Sequence, residues 1–293
     1  MRSLILIFAG VLTFTAASAE AGPFGRSPAS SAAVSAATVA DVQRAIDEQR
    51  LLDAGRLLDQ QTLAGVKDPR LALLGGDLNL ARKRYDAALT NYKLAEAGAA
   101  THARSLQGQG LSLSLLGRSN EAFAVLQRAV AADASAWRAW NALGAEYDAR
   151  SRWADADGAY QHAFAASDGA ALVLNNRGYS RLLQRRRDEA VSDFVTALQK
   201  KPDLAEARTN LRLALAMGGD YERAVAGASS DDQAALLNNA GFAAGMRGDY
   251  AKAEELLGRA VTARGEYYAR ASENLKIVRA LAARSNEAPH AAP

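Results

Sequence analysis

The sequence predicts an all-α solenoid: about seven helix–turn–helix units stacked in one register and closed by a C-terminal capping helix. Three observations carry this prediction. Alanines recur every 34 residues, at Ala54, Ala88, Ala122, Ala156, Ala190 and Ala224, and Ala253 follows after 29. Twelve residues upstream of five of these lies a glycine: Gly76, Gly110, Gly144, Gly178 or Gly241. Four residues after the alanine stands a bulky side chain (Tyr92, Leu126, Tyr160, Phe194 or Leu257), and seven after it a second alanine, Ala95, Ala129, Ala163, Ala197 or Ala260. Four ladders in one register mark a repeat architecture, in which no unit can bury its apolar face alone and neighbours do it for one another.

The elements follow in chain order. Residues 1–19 read as a signal peptide, with Arg2 as the positive start, an apolar run from Leu4 to Phe14 and Ala17-Ser18-Ala19 as the cleavage site. The run falls short of the roughly 20 residues a bilayer requires, which favours cleavage over a membrane anchor. Residues 20–37 are small and rich in Pro, Gly and Ser, the composition of a flexible leader. The solenoid is placed at 38–284, with units near 35–68, 69–102, 103–136, 137–170, 171–204, 205–233 and 234–267, and a cap at 268–284. Residues 285–293 read as a disordered tail.

Each unit reads as two amphipathic helices joined by a short polar turn, as at Arg82–Tyr85, Gly117–Asn120, Arg150–Arg152 and Gly248–Tyr250. The ladder glycine and alanine fall where antiparallel helices cross most closely, since a glycine inside a helix otherwise costs about 1 kcal/mol. The bulky residue is expected to fill the seam to the next unit. In unit 205–233 Arg212 replaces the glycine and five residues are missing around Ala226–Asp232. This predicts a second helix cut short near Gly227, with Asp231 or Asp232 capping the next helix. Such a break either bends the superhelix or is a neutral change in a loop.

Composition removes several function classes. The chain has 293 residues, 49% of them hydrophobic and 6% aromatic, with 35 basic against 32 acidic side chains and no cysteine. The balance lacks the one-sided basic character of nucleic-acid binders. Without cysteine there is no disulfide, thiol nucleophile, cysteine-ligated zinc or lipid-attachment site after the signal. His102, His162 and His290 share no metal-ligand spacing, and no phosphate loop or nucleophile elbow occurs. Glu254-Glu255 and Asp231-Asp232 suit solvated faces and caps. No catalytic residue, metal or cofactor is expected, and the protein is read as a non-enzyme. Basic residues crowd Arg181–Arg187 and the C-terminal end at Arg264, Arg270, Lys276, Arg279 and Arg284. They suit a solvated face or an anionic partner.

These ladders resemble the tetratricopeptide-repeat (TPR) family, whose 34-residue pattern is matched best by Trp140, Leu143-Gly144, Tyr147, Ala156, Tyr160 and Ala163. The next unit keeps Gly178, Ala190, Phe194, Ala197 and Pro202 but carries Arg177 and Arg181 where Leu and Tyr are usual. The resemblance implies a concave groove lined by the first helix of each unit, at its positions 2, 5, 6, 9 and 12. Here these place Arg138, Asn141, Asn175, Asn176, Tyr179, Asn210, Asn238, Asn239 and Phe242 as partner-binding candidates. Asparagine can donate and accept to an extended peptide backbone, and it is also well tolerated near helix starts. The carboxylate clamp of some TPR proteins is absent: Asn176 fits its middle position, but Asn141, Ala145, Glu206 and Asn210 supply no flanking cation.

The segments Leu174–Ser180, Leu237–Phe242, Arg247–Tyr250 and Tyr268–Leu275, following an export signal, resemble the TadD family of tight-adherence (Flp) pilus assembly in Gram-negative bacteria. That resemblance implies a protein-binding scaffold in the periplasm, either free there or peripheral to the outer membrane. Its partners would be secretin or pilus assembly components, with no nucleic acid and no integral membrane segment after signal cleavage. Family members often carry a lipid anchor, for which this chain lacks the cysteine. The rival reading is a periplasmic TPR module that recruits or regulates a peptidoglycan or polysaccharide enzyme.

Overall fold

The computed structural model describes residues 33–263 and 268–287. The expected signal peptide, most of the expected leader and the end of the expected tail lie outside the described residues. Among the described residues there are fifteen α-helices and no strand. They run α1 (Ala36–Asp47), α2 (Leu51–Leu63), α3 (Pro69–Ala81), α4 (Tyr85–Ala95), α5 (His102–Leu115), α6 (Ser119–Ala132), α7 (Trp137–Asp148) and α8 (Trp153–Ala166). The series continues with α9 (Ala171–Leu183), α10 (Arg187–Lys200), α11 (Ala205–Gly218), α12 (Tyr221–Val225), α13 (Ser230–Arg247), α14 (Tyr250–Ala263) and α15 (Ala269–Glu287). Successive helices pair across short turns, as the all-α solenoid requires.

Two compact units emerge, Met1–Val173 and Leu174–Pro293, with the boundary inside α9. In the first, α3 packs on α4, α5 on α6 and α7 on α8, while α4 and α6 in turn pack on α5 and α7. In the second, α10 packs on α11, α13 on α14, and α15 covers α14 and part of α13. The core of each unit is built from the predicted ladders. Ala54, Ala88, Ala122, Ala156, Ala190 and Ala253 have no exposed surface.

The bulky ladder residues pack with the next helices as expected, Leu126 with Ala142 and Leu143, and Phe194 with Ala214, and they also cover a glycine of their own pair. A Cβ on Gly76 would fall 2.6 Å from the Tyr92 ring, on Gly144 2.8 Å from Tyr160, and on Gly178 2.8 Å from Phe194. Leu126 and Leu257 stand in the same relation to Gly110 and Gly241. The bulky residue therefore lies over the glycine of its own helix pair. Tyr92 reaches further: a Cβ on Gly108 of α5 would also meet its ring, at 2.4 Å. This accounts for Arg212. Its helix pair has only the five-residue α12, which ends before the ring position, so no side chain demands a glycine there and Arg212 donates to the Ala226 carbonyl at 3.2 Å.

Three boundaries depart from expectation for local reasons. Val34 is buried, and Ser35 caps α1 by accepting from the Thr38 N–H, so order begins before residue 38. Ser229, not Asp231 or Asp232, caps α13, its hydroxyl accepting from the Asp232 N–H at 3.2 Å. The helix gains a turn at its start where α12 has lost two. Finally, α15 runs to Glu287, past the expected end at 284, because the first residue that opposes a helix is Pro289.

The turns inside the pairs share one device. Gln49, Lys83, Gly117, Ser151, Arg185, Gly219 and Gly248 all have positive φ, between 55° and 88°. In five pairs the next residue is an arginine that starts the second helix: Arg50, Arg84, Arg118, Arg152 and Arg186. A cation there opposes the helix dipole. Acids one turn in answer it, with Arg118 on Glu121, Arg152 on Asp155 and Arg186 on Glu189 at 2.7–2.8 Å.

Candidate functional site

The first helices of each unit carry the candidate binding residues, and the two units present different chemistry there. In the N-terminal unit, Arg70, Arg104 and Arg138 occupy one position of α3, α5 and α7. Arg70 grips Asp68 with Nε and Nη2, the latter at 2.7 Å, and Nη2 also donates to the Val34 carbonyl at 2.8 Å. Asp68 accepts from the Arg70 and Val34 N–H groups as well. Hydrogen bonding from Arg70 leads in lowering its pKa from 3.8 to about 2.

Arg104 donates to Asp77 at 2.8 Å, and the Tyr92 hydroxyl donates to the other carboxylate oxygen at 2.7 Å. Burial raises the Asp77 pKa, against the pull of Arg104 and Tyr92. Arg138 lies over the Trp137 ring, 4.2 Å from its centroid. Burial lowers its pKa, while the Asp77 charge opposes the shift. Asn141 is buried.

An open cleft of about 820 Å³ lies between α2, α3 and α4 of the same unit, with Leu52, Leu58, Leu71 and Leu94 among its walls. His102 Nδ1 sits 3.2 Å from the Glu96 carbonyl, and the His162 ring stacks on Trp140 at 4.5 Å. Among the described residues no group of three or more His, Cys, Asp or Glu could hold a metal ion, and no helix is long and apolar enough to cross a membrane.

In the C-terminal unit the candidate asparagines are mostly internal. Asn175, Asn176 and Asn238 are buried. Asn210 on α11 donates to Asn175 on α9 at 3.0 Å, and Asn274 on α15 donates to Asn238 on α13 at 2.9 Å. Asn175 and Asn238 also donate to their neighbours Asn176 and Asn239. These amides tie first helix to first helix, which is why a peptide-facing role fits Asn175 and Asn238 poorly. Asn239 is exposed. Arg177 and Arg181, the two departures from the repeat pattern, both bind Asp193 on α10 at 2.7 Å. The expected solvated run is thus partly a buried ion cluster, in which only Arg181 Nε lacks a partner.

What the C-terminal face offers instead is apolar. Leu183 (43% exposed), Leu213 (43%), Met217 (45%), Phe242 (49%) and Met246 (75%) all reach solvent, beside half-buried Tyr179. They form three i, i+4 pairs, Tyr179/Leu183 on α9, Leu213/Met217 on α11 and Phe242/Met246 on α13, at matching positions of the repeat. The corresponding N-terminal pairs are Asp77/Ala81, Leu111/Leu115 and Ala145/Ala149, with Leu111 buried and no large apolar group exposed. Tyr179 and Phe242 were legible as candidates. Leu183, Met217 and Met246 were not, because they stand at position 13 of their units, one residue beyond the last usual lining position, where only a comparison across repeats reveals them.

No protein-family model matches the chain, and no curated protein matches it. Solved structures do. A chain of the APC/C hetero-tetramer Cut9–Hcn1 superposes with a TM-score of 0.62 at 14% identity, over 82% of this chain and 48% of that one. This chain thus spans about half the length of that relative. The C-terminal part of a TPR repeat-containing protein from Cytophaga hutchinsonii gives 0.54 at 14% identity, over 81% and 99%. A tetratricopeptide repeat protein from Parabacteroides merdae gives 0.52 at 14%, over 83% and 98%. The fold is that of a TPR solenoid.

Proposed function

We propose that the protein is a non-catalytic scaffold that holds other proteins during assembly of the bacterial envelope, in the manner of the TadD family in tight-adherence pilus or secretin biogenesis. The observation that carries the scaffold reading is the exposed apolar set on α9, α11 and α13. A fold with ample core to bury large side chains leaves Phe242, Met217 and Met246 in solvent at equivalent repeat positions. Contiguous exposed apolar surface of this kind marks interaction sites. The TPR fold supports the same reading, since stacked helix pairs create extended surfaces for partners. Support for the envelope location comes from the export-signal pattern of residues 1–19, and for the pilus role from the TadD-like segments.

The test is in-cell crosslinking followed by affinity purification from envelope extracts. Secretin or pilus assembly components are the expected partners, and deletion of the gene should reduce surface pili. Recovery of cell-wall hydrolases or synthases, with normal piliation, would replace the pilus role by the enzyme-recruiting one. Absence of any crosslinked protein would remove the scaffold reading itself.

A further inference from the structure

We propose that the cleft between α2, α3 and α4 binds the C-terminal end of a partner protein in extended form, its carboxylate seated on Arg82. This gives the scaffold a second surface and rests on the scaffold reading. The floor of the cleft is one stripe of α3, namely Leu71, Gly75, Asn79 and Arg82, on a different face from Arg70 and Asp77. At 1.5 Å per residue the stripe is about 16 Å long, the span of about five residues of extended chain.

The cleft is open because the repeat leaves it unfilled there. Two repeats on, the equivalents of Gly55 and Asn79 are Phe123 and Tyr147, whose rings meet edge to face at 5.2 Å. Arg82 has an equivalent too, Arg150, and both reach back to the first residue of the preceding unit's second helix. Arg82 Nη2 donates to the Leu51 carbonyl at 2.6 Å, and Arg150 Nη2 to the Ser119 carbonyl at 3.1 Å. Arg150 is then closed in: its guanidinium lies over the Phe123 ring at 4.5 Å, and Glu146 meets its charge at 2.9 Å. Around Arg82 those two positions hold Gly55 and Leu78. Among the described residues Arg82 has no carboxylate partner. A guanidinium fixed by one N–H, with donors to spare, suits bidentate binding of a carboxylate.

The charge beside it is also unanswered. Arg84 starts α4, but Ala87 stands where Glu121, Asp155 and Glu189 answer the equivalent arginines. Among the described residues neither Lys83 nor Arg84 forms an ion pair, and Asp86 pairs with none of the three cations. Of the acids lining the cleft, Asp68 is held by Arg70, and Asp59 stands two turns along α2 from Leu52. The carboxylate therefore goes to the Arg82 end.

Hydrogen bonding selects an extended chain. Gly75 admits the Asn91 amide, whose Nδ2 lies 3.0 Å from where a Cβ would stand, and Gly55 admits Arg82 Nη2 at 2.8 Å. Neither glycine belongs to the ladder. Asn79 and Asn91 are half-buried and, among the described residues, make no side-chain hydrogen bond. Each offers a donor and an acceptor, which an extended backbone needs and a helix does not. Exposed Leu52 flanks the Arg82 end, and exposed Leu94 with Leu71 flanks the other, so the bound segment is apolar at both of its ends.

The experiment uses the full-length protein and an eight-residue peptide labelled at its N-terminus, with leucine at the last, third-last and fifth-last positions and serine elsewhere. Alternate residues of an extended chain share one side, about 6.6–6.8 Å apart. Fluorescence anisotropy should show saturable binding. The same peptide with a C-terminal amide, and one with every leucine replaced by serine, should each bind at least about tenfold more weakly. Arg82→Gln and Leu94→Ser should each lose at least about tenfold in affinity with unchanged circular dichroism, and Leu94→Ser tests the cleft independently of the Arg82 bond to α2. Phe242→Ser/Met246→Ser should bind as the parent does. Equal binding of the amide, or full affinity in Leu94→Ser, overturns the proposal. So does tight binding of an amidated peptide ending in glutamate, which would make a side-chain carboxylate the ligand. A dimer by light scattering that Arg82→Gln dissolves would overturn it as well, with the C-terminus of a second copy as the occupant. Envelope partners that crosslink equally to the parent and to Arg82→Gln would overturn this proposal alone and leave the scaffold reading standing.

Discussion

The N-terminal unit presents its first helices to solvent through arginines that are already occupied. Arg70 is locked on Asp68 and Val34, Arg104 on Asp77, and Arg138 lies on Trp137. The C-terminal unit does the reverse: its polar residues turn inward as asparagine bridges and the Arg177–Asp193–Arg181 cluster, and its apolar ones turn outward at Met217, Phe242 and Met246. One repeat pattern supports both, because the alanine and glycine ladders set only the packing between helices. The positions left outside that packing are free to differ, and there the units part. A face whose charges are internally paired holds its own helices in place. A face of exposed Met and Phe has surface still to bury.

The largest effect that could break this comparison lies at the rings. Tyr92 is fully buried, faces glycines on two helices and donates to Asp77; Phe194 is equally buried but faces only Gly178 and makes no hydrogen bond. Tyr92→Ala should therefore destabilise by about 4–5 kcal/mol, at the upper end for large-to-small core changes, and Phe194→Ala by about 3–4. Urea unfolding monitored by circular dichroism gives both values. A larger loss for Phe194→Ala would mean that the C-terminal unit, not the N-terminal one, has the more demanding core.

An intermediate effect separates the units by pH. The folded pKa of Asp68 lies below its ordinary 3.8, at about 2. Its contribution to stability is thus complete above about pH 4 and disappears as pH falls towards 2. Asp77 has the opposite sign: its pKa is raised by burial, so its ionised form opposes folding and protonation in acid relieves the cost. Between pH 4 and 2, amides of α1 and α3, which Asp68 ties together through Val34 and Arg70, should lose hydrogen-exchange protection ahead of those in α13 and α14. Asp68→Asn should show the same loss already at pH 7. If α1 and α3 keep their protection at pH 2, the Asp68 network is not what holds the start of the chain.

How much of this was legible follows from what repeats and what does not. The helix pairs and their core were written in Ala88, Gly144, Phe194 and their equivalents, because packing between neighbours imposes the same demand every 34 residues. The partner of each ring was not, since whether Tyr92 lies over Gly76 or beyond it depends on rotamer and crossing angle rather than on spacing. The asparagines were read as groove residues because a sequence shows that an amide is present but not where its partner stands. Asn210 and Asn175 lie on different helices, and only their packing brings them together. Arg212 looked like an exception to the glycine ladder and is explained by what α12 lacks, a cause that sits sixteen residues away in the chain.

The smallest effect concerns what the two units share. The turn inside each pair requires a residue in the left-handed region, and the chain meets this with glycine at 117, 219 and 248 but with Ser151 in the N-terminal unit and Arg185 in the C-terminal one, at φ of 55° and 62°. A side chain there costs about 1–2 kcal/mol, which glycine avoids while adding some freedom to the unfolded chain. Ser151→Gly and Arg185→Gly should therefore each stabilise by about 0.5–1 kcal/mol, readable as a shift in urea midpoint at unchanged slope. Equal gains would show that one turn construction serves both units, so that their difference is confined to the first-helix faces. A gain at Ser151 with a loss at Arg185 would place part of the difference in the turns, with the Arg185 side chain supporting the C-terminal unit through contacts its exposed position does not suggest.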